Sequence, residues 1–248
     1  MALREELERQ GNWLFRWRSY PPLVILSLSL IALWSSTSPE KAAQGAPNNL
    51  YAISCILISF LGLAVRCLTV GHVPIGTSGR NTKQQEAVTL NTTGVYSITR
   101  HPLYLGNFVI YFGVTLFVQV WWFSLLAILA FWLYYERIIF AEEEFLRTRF
   151  GDRFVDWAAK TPAVFPRPKN WQPPALPFAL KHVLEREYSA FFGIVASFTF
   201  LRAAISMIGE GGLIVHSAWL WFFCLGFIAY AVMRFLKKRT RILEVEGR

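Results

Sequence analysis

At 248 residues, 54% of them hydrophobic and 16% aromatic, the chain is too apolar to clothe a soluble domain in polar surface. Its mean hydropathy of +0.36, with several apolar runs near the ~20 residues that cross a bilayer as a helix, predicts an all-α polytopic membrane protein. The net charge of +9 would point to nucleic acid in a soluble protein; in this one it marks cytoplasmic loops facing anionic lipid, and membrane lipids rather than nucleic acid are the expected partners.

Residues 1–18 read as a charged amphipathic segment with Trp13, Phe15 and Trp17 as interface anchors. No small-residue cleavage site closes the first apolar run, about Pro21 to Ser36, so it is expected to be a retained anchor rather than a signal peptide. A Pro/Gly/Asn-rich loop, Ser38 to Asn49, leads to a second run, about Leu50 to Val70, and a polar stretch follows from Gly71 to Thr99. Runs three and four, about Leu103 to Val118 and Val120 to Ile139, have almost no loop between them and predict a tight helical hairpin turning at Gln119, Trp121 and Trp122. In the charged segment Glu136 to Lys160, Phe140, Phe145, Leu146, Phe150, Phe154 and Trp157 recur at helical spacing, which predicts a cytoplasmic amphipathic helix interrupted at Gly151. After a Pro-rich linker, Thr161 to Pro177, come runs five and six, about Tyr188 to Ile208 and Gly212 to Phe235, and a terminal basic cluster of Arg234, Lys237, Lys238, Arg239 and Arg241. Six spans with both termini in the cytoplasm place nearly every Lys and Arg inside, with Lys41 and Arg202 as the outer exceptions. Arg202 is expected to reach the outer surface near Glu210, and the Glu185–Tyr188 stretch to form interfacial ion pairs. Cys55, Cys67 and Cys224 sit in apolar runs without metal-ligand spacing; they read as packing thiols, and no metal site is expected.

The stretch from Thr93 to Gly106 gathers glycine, arginine, histidine, proline and two tyrosines where a polar loop meets an apolar run. Polar groups at a membrane boundary are costly and are usually functional. Pro102 suits the first turn of span three, which sets Arg100 and His101 at that helix start. The hairpin returns the end of span four to the same face, bringing Arg137 and Glu142-Glu143-Glu144 toward them. Two plainer readings stand beside this one: an Arg-His pair that anchors a helix at the headgroups, and an acidic triplet that forms a solvated face.

Arg100-His101-Pro102-x-Tyr104-x-Gly106, preceded by Gly94-Val95-Tyr96 and followed by Glu142-Glu143-x-x-Leu146, Phe150-Gly151 and Phe154, resembles the signature of isoprenylcysteine carboxyl methyltransferases and the related phospholipid methyltransferases. Phe154 stands where that family often has Tyr. The resemblance divides the chain into residues 1–70, a methyltransferase core at 71–170, and a linker with two added spans at 171–248. It implies an S-adenosylmethionine-dependent methyltransferase of the bacterial branch, in the inner membrane with its site on the cytoplasmic side. It places Val95, Tyr96, Arg100, His101, Tyr104, Glu142 and Glu143 at the cofactor, with Glu142 also catalytic, and Arg137 at the anionic oxygen of the acceptor.

The physical logic agrees. Methyl transfer from a sulfonium to an anionic oxygen is an in-line displacement that requires alignment and exclusion of water, and no strong base. Arg137 can align a carboxylate or phosphate through two hydrogen bonds, a positioning role. The acceptor is expected to be lipidic, and Arg80 and Lys83 in the polar insertion would suit a phosphorylated headgroup such as that of a phospholipid or lipid A. A prenylcysteine-type carboxylate is the competing acceptor. An NADPH-dependent reductase similar to membrane sterol reductases is the competing enzyme class, because those enzymes resemble this family in their cofactor region.

Overall fold

A computed structural model describes residues 2–36, 47–74, 85, 87–209, 212–213 and 216–245. Its helices are α1 (Leu3–Trp17), α2 (Pro21–Ser36), α3 (Asn49–Val70), α4 (Pro102–Phe117), α5 (Trp121–Phe150), α6 (Asp152–Lys160), α7 (Leu180–Gly209) and α8 (Ser217–Arg239). Among the described residues the only strand-like pairing is an isolated bridge between Gly94 and Gln172. The all-helical membrane architecture expected from composition is therefore present.

Among the described residues four helices, α3, α5, α7 and α8, are long and apolar enough to cross a bilayer. The first and third of the six expected spans are α2 and α4, each of 16 residues. At 1.5 Å per residue each covers only about 24 Å, short of the ~30 Å hydrocarbon core. A fifth span results only if α1 and α2, bent by 81°, count as one. The expected surface helix also begins later than the hydrophobic pattern implied. Nothing in Glu136–Phe150 breaks a helix, so α5 runs on for 30 residues and carries the glutamates at its end. It stops at Gly151, whose φ of 55° and ψ of −131° turn the chain into the short amphipathic α6.

The α4–α5 hairpin forms as expected, with Gln119 at φ 57° making the turn. Helices α3 and α4 pack backbone to backbone. A Cβ on Gly62 would lie 2.5 Å from the Gly106 carbonyl oxygen, and one on Gly113 would meet Ser59 and the Cys55 carbonyl. Small residues at such crossings let transmembrane helices make dense van der Waals contact, which bilayer hydrophobicity cannot supply. Ser59 seals the crossing by donating to the Ile110 carbonyl at 2.8 Å. The main apolar core lies between α3, α4 and α7, where Phe117 meets Phe198 edge to face at 5.1 Å. A smaller core of Phe15, Tyr135 and Ile138 pins α1 across α5. Of the cysteines, Cys55 is buried as expected, whereas Cys224 is exposed. Arg202 is buried, and Glu210, toward which it was expected to reach, lies outside the described residues.

Candidate active site

The motif is shaped by its backbone first. Gly94 adopts φ 60°, a left-handed value that favours glycine, and opens the 3₁₀ turn Val95–Ser97. Ser97 Oγ donates to the Gly94 carbonyl at 2.7 Å and accepts the Gln172 amide at 3.0 Å. The Pro-rich tail then runs alongside: Arg100 N donates to Pro162 O at 2.9 Å, His101 N to Ala163 O at 3.2 Å, and Arg167 N to Ile98 O at 2.9 Å. Pro102 begins α4, and the His101 carbonyl accepts the amides of Tyr104 and Leu105. The motif histidine is thus held between a helix start and a second strand of chain, with its ring turned inward.

The ring is 6% exposed. His101 Nε2 lies 2.9 Å from Glu143 Oε1, and Nδ1 lies 3.6 Å from Glu142 Oε2, beyond hydrogen-bonding distance. Burial opposes a charge on this imidazole, but the Glu142 and Glu143 carboxylates outweigh it and push the group up to about 9. At neutral pH His101 is therefore an imidazolium whose Nε2 donates to Glu143. Its ring stacks on Tyr104, at 5.7 Å between centroids and 12° between planes, and Tyr104 leans on Tyr135 at 4.8 Å.

Glu143 Oε1 also lies 2.9 Å from Arg100 Nε, so one oxygen serves both cations. Arg100 in turn donates through Nη1 to the Ala158 carbonyl of α6 at 2.8 Å, tying the motif to that helix. Glu142 differs. Its Oε2 is buried and has no hydrogen-bond partner. Tyr96, half-buried, stands near enough to Glu142 to feel its charge. Burial first, and that carboxylate second, push its hydroxyl above the ordinary range, so it stays a neutral donor. Trp157 of α6 donates to the Tyr96 carbonyl at 3.3 Å, and Phe154, at the position where the signature often has Tyr, is fully buried beneath it.

The structure thus brings together Tyr96, Arg100, His101, Tyr104, Glu142 and Glu143. Val95 contributes backbone, its carbonyl accepting the amides of Ile98 and Thr99. Arg137 is not in the cluster: it precedes Glu142 by five residues, about 140° around the helix, and its Nη1 donates to Glu136 at 2.7 Å. Arg80 and Lys83 lie outside the described residues.

A second charged group escaped sequence reasoning. Arg66 of α3 holds Glu187 of α7 in a two-pronged ion pair, Nε to Oε2 and Nη2 to Oε1, both at 2.8 Å. Its Nη1 donates to Asn107 Oδ1 at 2.6 Å, and Asn107 Nδ2 reaches the Tyr135 hydroxyl at 3.3 Å. This chain of polar contacts ends on the ring that supports Tyr104. A lone arginine inside an apolar run was the available signal, since such a residue needs a partner. Glu185 pairs with Lys237 of α8 at 3.2 Å, with both side chains half-buried.

Residues 52–153 match the family model described as phospholipid methyltransferase. That stretch is the part of the chain that resembles the phospholipid methyltransferase family. It runs from α3 to the start of α6 and holds Arg66, the motif and both site glutamates, whereas α1, Glu187 and the last two helices lie outside it. The chain is 38% identical over 146 residues to the nickel-cobalt-cadmium resistance protein NccN of Alcaligenes xylosoxydans xylosoxydans, covering 58% of this chain and 62% of that protein. It is 35% identical over 117 residues to the cobalt-zinc-cadmium resistance protein CzcN of Cupriavidus metallidurans, covering 46% and 51%. It is 32% identical over 77 residues to the protein-S-isoprenylcysteine O-methyltransferase of Schizosaccharomyces pombe, covering 31% and 33%. The matched part is therefore about three fifths, half and one third of these relatives. No solved structure matches the chain.

Proposed function

We propose that the protein is a membrane-embedded, S-adenosylmethionine-dependent O-methyltransferase that acts on an anionic oxygen of a lipidic acceptor. The observation that carries this reading is the buried Oε2 of Glu142, which has no hydrogen-bond partner, beside the stacked His101–Tyr104 rings in a stretch that matches a methyltransferase family. S-adenosylmethionine presents a sulfonium, an ammonium and ribose hydroxyls, and the donor set fits it. The Tyr104 ring offers its negative face to a cation. Glu142 Oε2 offers lone pairs to an ammonium or hydroxyl, and Tyr96 offers a neutral hydroxyl. When bound, the cofactor supplies an electrophilic methyl group.

The chain's own residues hold and align. His101, clamped by Glu143, keeps Tyr104 and Glu142 in place; Arg100 locks Glu143 and α6 together. An anionic acceptor is already nucleophilic, so no residue need act as a base. Arg137 precedes Glu142 by five residues on α5, and its exposed Glu136 partner is readily exchanged for an acceptor carboxylate or phosphate. Arg80 and Lys83 would meet a phosphorylated headgroup. We place the protein in a bacterial inner membrane with this face toward the cytoplasm, where the basic loops collect. Two relatives are named for metal resistance, yet among the described residues no group of three or more His, Cys, Asp or Glu side chains is placed to hold a metal ion.

Titration calorimetry on the purified protein in detergent with phospholipid tests the proposal. Saturable S-adenosylmethionine binding that disappears in His101→Ala is expected, with NADPH as comparator and methyl incorporation into phospholipid, lipid A or a prenylcysteine mimic identifying the acceptor. NADPH binding without S-adenosylmethionine binding would reassign the protein to the reductases, and binding of neither would end the cofactor-site reading.

A further inference from the structure

The N-terminal helix α1 lies outside the stretch that matches the family, yet it is locked onto the site-bearing helix. Gly11 rests against the Arg137 carbonyl and Ala141, where any Cβ would collide with α5 backbone. Tyr134 donates its hydroxyl to the Leu14 carbonyl at 2.9 Å, and Arg4 pairs with Glu144. Phe15 is buried against Tyr135 and Ile138, and Tyr104 packs on the same cluster. An amphipathic segment that only floated on headgroups would need none of these attachments.

Arg18 ends this helix. Its guanidinium lies 3.9 Å from the centroid of the Phe15 ring, which fixes its position. The chain turns away immediately afterwards, with α2 at 81° to α1, so Arg18 stays at the corner while the rest leaves. From there it lies within electrostatic range of Glu142, Tyr104, Tyr134 and Tyr135. Phe15, beneath the guanidinium, packs in one cluster with Tyr104 and Tyr135, and Tyr104 stacks on His101 beside Glu142, so the arginine and the carboxylate flank one aromatic cluster from two helices. Such a pair is complementary in sign to an α-amino acid, which carries an ammonium and a carboxylate on one carbon. A guanidinium is also the side chain best shaped for a carboxylate.

We propose that Arg18 binds the carboxylate of the methionine moiety of S-adenosylmethionine, opposite Glu142, which takes its ammonium. This rests on the methyltransferase reading above. It makes α1 a wall of the cofactor site and adds a binding residue that lies outside the stretch that matches the family.

The test is calorimetry on the full-length protein with S-adenosylmethionine and with decarboxylated S-adenosylmethionine, which lacks only the carboxylate. The wild type should prefer the carboxylated ligand. In Arg18→Gln its affinity should fall about 10–100-fold, while the decarboxylated ligand should change less than about threefold, which also shows the variant to be folded. Arg18→Lys should keep part of the preference. Equal losses for both ligands would show Arg18 to be structural, and a preference surviving in Arg18→Gln would overturn the proposal directly. A wild type that binds both ligands equally would overturn it while leaving the methyltransferase reading intact. A wild type that binds neither would overturn both.

Discussion

Two charged clusters lie within one bundle and are built to opposite ends. At Arg66–Glu187–Asn107, between α3, α4 and α7, the carboxylate oxygens meet two guanidinium nitrogens and the amide oxygen meets a third. At His101–Glu142–Glu143, at the mouth of the α4–α5 hairpin, one carboxylate is shared by two cations while the other keeps an oxygen open. Both are built on carboxylates facing cations. In the apolar interior an open valence is expensive, so the first cluster closes on itself. At the membrane boundary an open valence can await a ligand, and the second cluster leaves one.

The sharpest way to break this contrast is to open the closed cluster. Glu187→Ala leaves Arg66 buried without its counter-ion and should cost about 3–5 kcal/mol, read as a fall in melting temperature in detergent. Arg66→Leu combined with Glu187→Leu should recover most of it; equal damage in the double variant would mean the pair is more than self-compensating. The site cluster should instead reveal itself through pH. The folded state raises His101 to about 9 from 6.5, so its contribution is fully present below pH 6.5 and is lost as pH rises through 9. The wild-type melting temperature should fall across that window by the equivalent of at most roughly 3 kcal/mol, and His101→Gln should flatten the slope. Gly106→Ala probes the join between the clusters, because a Cβ there would lie 2.5 Å from Arg66 Cγ and 2.9 Å from the Gly62 carbonyl oxygen. It should cost about 1–3 kcal/mol; an unchanged melting curve would mean that α3 and α4 separate freely. The smallest stability effect should come from Glu142→Gln, within about 1 kcal/mol, although S-adenosylmethionine affinity should drop about tenfold or more. A large stability loss there would place Glu142 with the closed cluster.

How much of the site could be read in advance varies by residue. His101 and Tyr104 sit three residues apart at a helix start, and Glu142 and Glu143 follow at the end of the return helix, so local pattern and a tight hairpin suffice to bring them together. Arg137 shows the limit of that reasoning. Sequence proximity placed it with Glu142, but helical phase turns it to another face. The charged segment after span four was read as a separate surface helix because its composition changes at Glu136, whereas the backbone responds to breakers, and the first is Gly151.

Composition, hydrophobic period and the paired motifs determined by themselves that this is a helical membrane protein with a polar junction at one hairpin. Those properties depend on local chemistry and on the bilayer's demand that backbone groups be satisfied within each helix. Only the tertiary structure decided that Glu187 answers Arg66 across 121 positions, that α1 lies against the site, and that Glu142 Oε2 is buried without a hydrogen bond. Pairing between distant segments depends on which helix faces pack together, and no local pattern encodes that choice.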